Sequence, residues 1–168
     1  MSDTKIGRNA RLWKRDLSGY PGAGVTLPNL RGLTMDDVPA LGALFFGAFL
    51  GTIDDVGQTE AQYEEKAKAI LGGRYGEWIA TASWAIEDAR TLRAACLVCD
   101  YTPYGCPAIA IVATSPSRKR SGDAGALVNA VLSSHGSLRY GECCAMVTIG
   151  NEASEQLFKG RGFLPQNV

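Results

Sequence analysis

The order of elements along this chain predicts a single α/β domain. Two amphipathic helical patterns come first, two strand-like segments joined by a tight turn follow, and strand, helix, strand and helix then alternate. With 168 residues, of which 46% are hydrophobic and 20% charged, the chain is long enough to bury one core.

Capping residues and apolar spacing predict the two early helices. A short strand near 30–33 precedes Thr34, which begins the first helix with two acidic residues in its first turn. Thr59 and Gln62 form a capping box at the start of the second helix, and Gly72 with Gly73 ends it. One face of the first helix carries apolar residues at helical spacing, namely Val38, Leu41, Leu44, Phe45 and Ala48.

Apolar runs and turn residues predict the remaining elements. The segments 79–86 and 91–101 are strand-like, and the apolar run 108–114 is typical of a central strand covered on both faces. A helix over 124–133 stops at Gly136, a buried strand covers 143–149, and Asn151 caps a last helix. The segment 1–27 has scattered charge, so we expect an N-terminal extension followed by a domain over 28–168.

Charge and hydropathy exclude several classes of partner. The formal net charge is zero, which does not favour a general affinity for nucleic acid or for an anionic membrane. The first residues are polar and lack the apolar core of a signal peptide, and no apolar run approaches the roughly 20 residues that span a bilayer. We therefore expect a cytoplasmic protein without nucleic-acid or membrane partners.

The cysteines and the single histidine do not suggest a metal site. Cys96 and Cys99 form a CxxC, but in a strand residues three apart point to opposite faces, and the adjacent Cys143 and Cys144 also diverge. The sequence therefore predicts buried, reduced thiols and no bound metal. His135 precedes Gly136, so we expect it at an exposed helix end without a catalytic role.

The segment 110–127 carries the clearest chemistry. A buried strand ends at Pro116, a basic loop follows, and a helix begins near Ala124. The first turn of a helix presents free backbone N–H groups and the positive end of the helix dipole, which together bind anions. Small residues at Gly122 and Gly125 leave those groups accessible, and the basic run 118–120 adds positive charge. Neither GxGxxG nor GxxxxGK is present.

Together with the segment 147–163, this loop resembles the GNAT acetyltransferases. Residues in register with the family's cofactor loop and its C-terminal motif are Pro116, Gly122, Ala124, Leu127, Asn151, Leu157, Gly162 and Phe163. The resemblance extends from about Leu30 to the C-terminus. It implies an α/β fold with a mixed, mostly antiparallel sheet, a central parallel splayed pair of strands and about four flanking helices. It also implies transfer of acetyl from acetyl-CoA to a primary amine.

The same resemblance implies which residues bind acetyl-CoA. Pantetheine would lie in the splay and pair with the backbone of 112–114, the pyrophosphate would rest on the amides of the loop, and Asn151 would contact the cofactor from the other side. The cofactor-binding residues expected on this basis are Val112, Ala113, Thr114, Arg120, Ser121, Gly122, Asp123, Ala124, Gly125, Asn151 and Phe158.

Three positions depart from the family pattern. Lys119 replaces Gln or Arg, and Asp123 replaces an apolar residue and adds negative charge beside the expected diphosphate. Phe158 stands where many members carry Tyr, whose hydroxyl can protonate the leaving thiolate, and phenylalanine has no proton to give. These departures leave open an alternative function, a non-catalytic acyl-CoA-binding module.

The sequence also leaves alternatives for the general base, the residue that would remove a proton from the amine. Asp100 lies at the end of the strand 91–101, and Asp54 and Asp55 lie between the first two helices, in a loop that often lines the acceptor site in this family. We therefore keep Asp100 and Asp55 as catalytic candidates. The resemblance implies that the acceptor is a small-molecule or peptide amine.

The C-terminus raises the question of what covers the strand 143–149. The family's fold continues through two strands after the position of Phe163, but only five residues follow here. An uncovered apolar edge invites aggregation. We expect the N-terminal extension, which holds a strand-capable segment over 24–27, or a second subunit in a homodimer to cover it.

Overall fold

A computed structural model describes residues 9–21, 27–137 and 140–167. Eight strands in these ranges form one mixed sheet, in the order β2-β4-β5-β6-β7-β1-β8, with β3 paired to β5. The strands are β1 (Ala10–Asp16), β2 (Leu30–Arg31), β3 (Glu77–Trp78), β4 (Trp84–Asp88), β5 (Thr91–Tyr101), β6 (Cys106–Thr114), β7 (Glu142–Thr148) and β8 (Leu164–Pro165).

Two pairs of helices cover the two faces of the sheet. They are α1 (Val38–Phe49), α2 (Glu60–Leu71), α3 (Asp123–Ser137) and α4 (Glu152–Lys159). Apolar residues of α1 and α2 pack against one face of β5 and β6, while those of α3 and α4 pack against the opposite face of β4 to β7. The predicted fold class, a mostly antiparallel sheet with one parallel pair and four helices, is confirmed.

The predicted helix starts are also confirmed. The backbone N–H of Thr34 donates to Asp37 at 2.9 Å, and a short 3-10 turn leads into α1. At α2 the Thr59 N–H donates to Gln62 Oε1 at 2.8 Å, and the Gln62 N–H donates to Thr59 Oγ1 at 3.2 Å. Both capping boxes satisfy backbone donors that a helix start otherwise leaves without partners.

Strand β1 was not predicted and lies inside the sheet. It pairs antiparallel with β7 from Ala10 opposite Thr148 to Asp16 opposite Glu142, and β8 pairs with its other edge. The N-terminal extension therefore covers the edge of β7, although through residues 10–16. Within the segment 24–27 only Leu27 lies in the described residues. The homodimer stays a prediction. Its motive was an uncovered edge of β7, and β1 covers that edge.

Two predicted elements were wrong in extent. The segment 79–86 is not one strand, because the Ser83 hydroxyl donates to Ile79 O at 2.9 Å and accepts from the Val98 N–H at 3.0 Å, which turns the chain between β3 and β4. Helix α3 continues past 133 to Ser137. Its polar residues Ser134 and His135 bond to carbonyls four residues earlier, so they fit inside a helix.

Within the described ranges, no helix has both the length and the apolar character that a bilayer crossing requires.

The packing of β1 generates a stability prediction. Trp13 is buried against the α3 and α4 face, with 8% of its surface exposed. Trp13→Ala should lower the free energy of unfolding by about 3–5 kcal/mol, because it removes a large core side chain and leaves a cavity. Urea unfolding followed by circular dichroism measures this, with Arg11→Ala, which removes an exposed side chain of the same strand, as the control. Equal midpoints for both variants would contradict a structural role of β1.

Candidate active site

The parallel strands β6 and β7 separate after a short pairing. They pair only at Ala108 opposite Cys144 and Ile109 opposite Ala145. At this point the register of β6 against β5 shifts, since Ile109 faces Val98 while Ile111 faces Leu97. Ala110 is thus an extra residue in β6, a β-bulge that bends the strand away from β7.

The separation leaves backbone groups of β6 without a strand partner on one side. Between Val112 and Thr114 the strand pairs with β5 on one edge, and the described residues of β7 do not pair with the other. In an antiparallel pair, alternate residues point their N–H and C=O groups away from the partner. These groups face the splay, where a ligand with amide groups can bond to them as an added strand does.

A basic loop leads from β6 into α3. Gly122 adopts φ +88°, and a side chain there would meet no atom within 4 Å, so the space beside this amide is open. Arg120 adopts φ +64°, a conformation that costs a non-glycine residue of order 1 kcal/mol. Strain of this kind occurs in loops that are shaped for ligands.

The loop, the start of α3 and the end of α4 enclose a pocket of about 220 Å³. Its lining residues are Thr114, Arg118, Arg120, Ser121, Gly122, Asp123, Ala124, Gly125, Leu157 and Arg161. Seven of the residues expected to bind the cofactor are therefore together: Thr114, Arg120, Ser121, Gly122, Asp123, Ala124 and Gly125.

The other four expected residues are not among those that line this pocket. Val112 and Ala113 belong to the splayed part of β6, and Asn151 caps the start of α4, accepting from the Ser154 N–H at 3.2 Å. Phe158 is buried, and its ring packs against Phe163 with centroids 5.1 Å apart. Sequence reasoning missed Leu157 and Arg161 as pocket residues. A cation between Gly160 and Gly162, directly after the last helix, was the available signal.

The negative charge of Asp123 is compensated inside the protein. Its side chain is 8% exposed, and Oδ2 lies 3.1 Å from Arg93 Nε and 3.4 Å from Arg118 Nε. Arg93 comes from β5 and was not predicted to take part. Arg93 also lies 3.5 Å from Asp88 Oδ2. The pocket lining carries Arg118, Arg120 and Arg161 against the one carboxylate of Asp123, so it is positive, as an anion site requires.

Helix α1 supports the loop from the other face. Lys119 Nζ donates to Ala48 O at 2.9 Å, in the last turn of α1. The negative end of the helix dipole also stabilises a cation at this position. A Cβ built at Gly47 would lie 3.6 Å from the Pro116 ring. Lys119, the mild departure from the family pattern, therefore ties the loop to α1.

The carboxylates proposed as bases lie in different places. Asp54 reaches the splay, where it accepts from Thr148 Oγ1 and from Asn151 Nδ2, each at 2.8 Å. Asp55 accepts from the N–H groups of Gly51 and Gly57, each at 2.8 Å, and so shapes its own loop.

Asp100 lies at the far end of the sheet. It faces Pro107 in β6, seven residues before Thr114, which corresponds to about 23 Å along the strand. There it lines a separate pocket of about 270 Å³ with Glu77, Trp78 and Tyr140. The structure thus brings Asp54 to the splay, and neither of the two candidates kept from the sequence, Asp55 and Asp100, has a described contact there.

His135 is not at an exposed helix end, and that prediction was wrong. Its surface is fully buried, Nδ1 lies 2.9 Å from Val131 O, and its ring packs against Tyr140. Burial lowers the pKa of His135, so the ring is neutral at pH 7. It packs in the core away from the splay.

The cysteines diverge as the strand alternation predicts. Cys96 belongs to the core on the α3 side and Cys99 to the core on the α1 side, while Cys143 and Cys144 also face opposite sides. In the described ranges, no group of three or more His, Cys, Asp or Glu side chains could hold a metal ion.

Several solved structures with the same fold are N-acetyltransferases. A GCN5-related N-acetyltransferase from Sphaerobacter thermophilus matches with TM-score 0.72 and 16% identity over 95% of this chain and 49% of its own. The ribosomal-protein-alanine N-acetyltransferase from Brucella melitensis matches with TM-score 0.62 and 19% identity, over 80% of this chain and 83% of its own. An aminoglycoside 6′-N-acetyltransferase from Acinetobacter haemolyticus matches with TM-score 0.60 and 14% identity, over 83% of this chain and 94% of its own.

These comparisons confirm the GNAT fold. The chain spans about half the length of the Sphaerobacter protein. No protein-family model matches the sequence, and no curated protein matches it.

The burial of the thiols generates a prediction about their reactivity. All five cysteines are buried, and burial raises the pKa of Cys96 to about 12 and that of Cys99 to about 11. Because the thiolate is the reactive form, these thiols should react with Ellman's reagent at pH 8 only after unfolding in guanidinium. Rapid reaction of one thiol in the native protein would contradict this prediction and indicate a reactive cysteine.

Proposed function

We propose that this chain, which has the GNAT fold, transfers acetyl from acetyl-CoA to a primary amine. The observation that carries the proposal is the bulge at Ala110, which opens an unpaired strand edge directly beside a positively charged helix start. A strand edge suits an amide-containing arm, and a helix start suits a diphosphate. Acetyl-CoA contains both groups in series.

The residues present fit such a ligand. Open space beside Gly122 lets a phosphate approach the amides of the loop, and Arg120 lines the same pocket. The backbone of 112–114 would bond the pantetheine amides, and Asn151 would contact the arm from the α4 side. Acetyl-CoA supplies an activated thioester, and the protein orients it.

The chemistry needs a neutral amine and a place for negative charge. The amine nitrogen attacks the thioester carbon, a C–N bond forms, the C–S bond breaks, and the nitrogen loses a proton. A backbone N–H of β6, at Val112 or beside it, would stabilise the oxyanion. With Phe158 in place of a tyrosine, the leaving thiolate takes its proton from water.

Asp54 is the acidic side chain best placed to receive the amine. Its hydrogen bonds to Thr148 and Asn151 hold a carboxylate at the mouth of the splay. A carboxylate there attracts an ammonium group and can accept its proton. The acceptor in this proposal is a small-molecule or peptide amine, and the enzyme acts in the cytoplasm.

A free-thiol release assay with a panel of primary amines tests the proposal. Acetyl-CoA and the active amines should give amine-dependent release of CoA thiol. Gly122→Glu should weaken acetyl-CoA binding by at least about 2 kcal/mol, because it puts a side chain and a negative charge at the diphosphate. Gly105→Glu is the matched control, since Gly105 also has a left-handed backbone and open space around it, at the far end of the sheet.

Two outcomes would count against transfer. Binding of acetyl-CoA without amine-dependent thiol release, over the whole panel, would favour the non-catalytic acyl-CoA-binding module. The missing hydroxyl at Phe158 is consistent with that alternative, because a binding module needs no general acid. Unchanged affinity in a folded Gly122→Glu variant would remove the loop from the site.

The position of Asp54 generates a separate prediction. Asp54→Asn keeps a hydrogen-bonding oxygen but removes the charge, so kcat/KM for the amine should fall at least about tenfold. KM for acetyl-CoA should stay within about threefold, because the carboxylate is not a phosphate ligand. Steady-state kinetics measure both, with Glu152→Gln, an exposed acid at the start of α4, as the control. Equal kinetics in both variants would exclude Asp54.

A further inference from the structure

Arg161 reaches from the end of α4 to the first turn of α3. It follows α4 in a tight turn, where Gly162 adopts φ +79°. Its Nε donates to Gly125 O at 3.0 Å, and Nη1 donates to Leu157 O at 3.3 Å. Arg161 thus lines the pocket from the end of α4, while the loop lines it from the start of α3.

The fit between Arg161 and Gly125 depends on the missing side chain of the glycine. A Cβ at position 125 would overlap the guanidinium group of Arg161. Gly125 therefore allows the guanidinium of Arg161 to approach the helix closely. Its backbone conformation does not require a glycine, because it lies within α3. The guanidinium lies directly over the first turn of the helix.

This position beside a helix start is electrostatically unfavourable for a cation. The start of a helix carries partial positive charge, and burial also lowers the pKa of Arg161. Arg93 and Arg118 share the carboxylate of Asp123, whereas no carboxylate of the described residues pairs with Arg161. Its two described hydrogen bonds go to carbonyl groups, which leaves three of the five guanidinium N–H groups for a ligand.

A bound anion removes both disadvantages. A diphosphate over the amides of the α3 start would lie beside the guanidinium and would neutralise both the cation and the helix dipole. We propose that Arg161 binds the diphosphate of acyl-CoA from the α4 side and so sets the affinity for the phosphorylated part of the ligand. This inference rests on the proposed function.

Truncated ligands test the inference by calorimetry. CoA, dephospho-CoA and pantetheine share the arm, but pantetheine has no phosphate. Arg161→Gln should weaken CoA and dephospho-CoA alike, by about ten- to a hundredfold, and should leave pantetheine unchanged. Arg161→Lys should retain part of the affinity because it keeps the charge without the planar fork. Lys159→Gln, an exposed cation of the same helix, should match the native protein.

The outcomes separate this inference from the proposed function. Failure of the native protein to bind CoA would contradict the proposed function itself. Tight CoA binding by the native protein with equal binding by Arg161→Gln would overturn the role of Arg161 alone. A loss seen with CoA but not with dephospho-CoA would overturn the diphosphate assignment, because the contact would then be with the 3′-phosphate.

A double-mutant cycle with Gly125 gives a second test. Gly125→Ala should displace the guanidinium and lower CoA affinity in the native background, and the loss that it adds to Arg161→Gln should be smaller. The same loss in both backgrounds would mean that the new methyl group acts on the ligand directly, and this would contradict the proposed contact. Thermal unfolding of each variant confirms that it is folded.

Discussion

The bulge at Ala110 is the constraint on which the rest of the structure depends. One extra residue in β6 ends its pairing with β7 after Ile109 and leaves a wedge between two central strands. An open wedge in a sheet is costly unless its edges are otherwise supported or filled. The protein supports it from outside, because β1 pairs with the far edge of β7 over seven residues.

The charges around the wedge follow from its shape. The basic loop after β6 places Arg118 and Arg120 at the start of α3, where Asp123 forms ion pairs with Arg118 and with Arg93 of β5. Arg120 and Arg161 also line the pocket. The opposite rim is acidic through Asp54, which is bonded to Thr148 and Asn151. One side therefore suits phosphates and the other an ammonium group.

Local signals made most of the fold predictable, and non-local contacts account for the rest. Thr34 and Thr59 identify helix starts through bonds within three residues, and the strand 91–101 follows from apolar composition and a tight turn. Strand β1 depends on a partner more than 120 residues away, so its own charged sequence, ARLWKRD, did not reveal it. For the same reason Arg161 and the compensation of Asp123 by Arg93 became visible only in three dimensions.

The central claim is that the wedge between β6 and β7 is the acyl-CoA site, and titration of the ¹⁵N-labelled protein with CoA tests it most directly. The account predicts the largest amide shifts at 112–114 and 120–125, with slower hydrogen exchange in the strand segment as the arm bonds to it. Shifts centred on the other pocket, at 77–81 and Asp100, with the wedge unaffected, would contradict it.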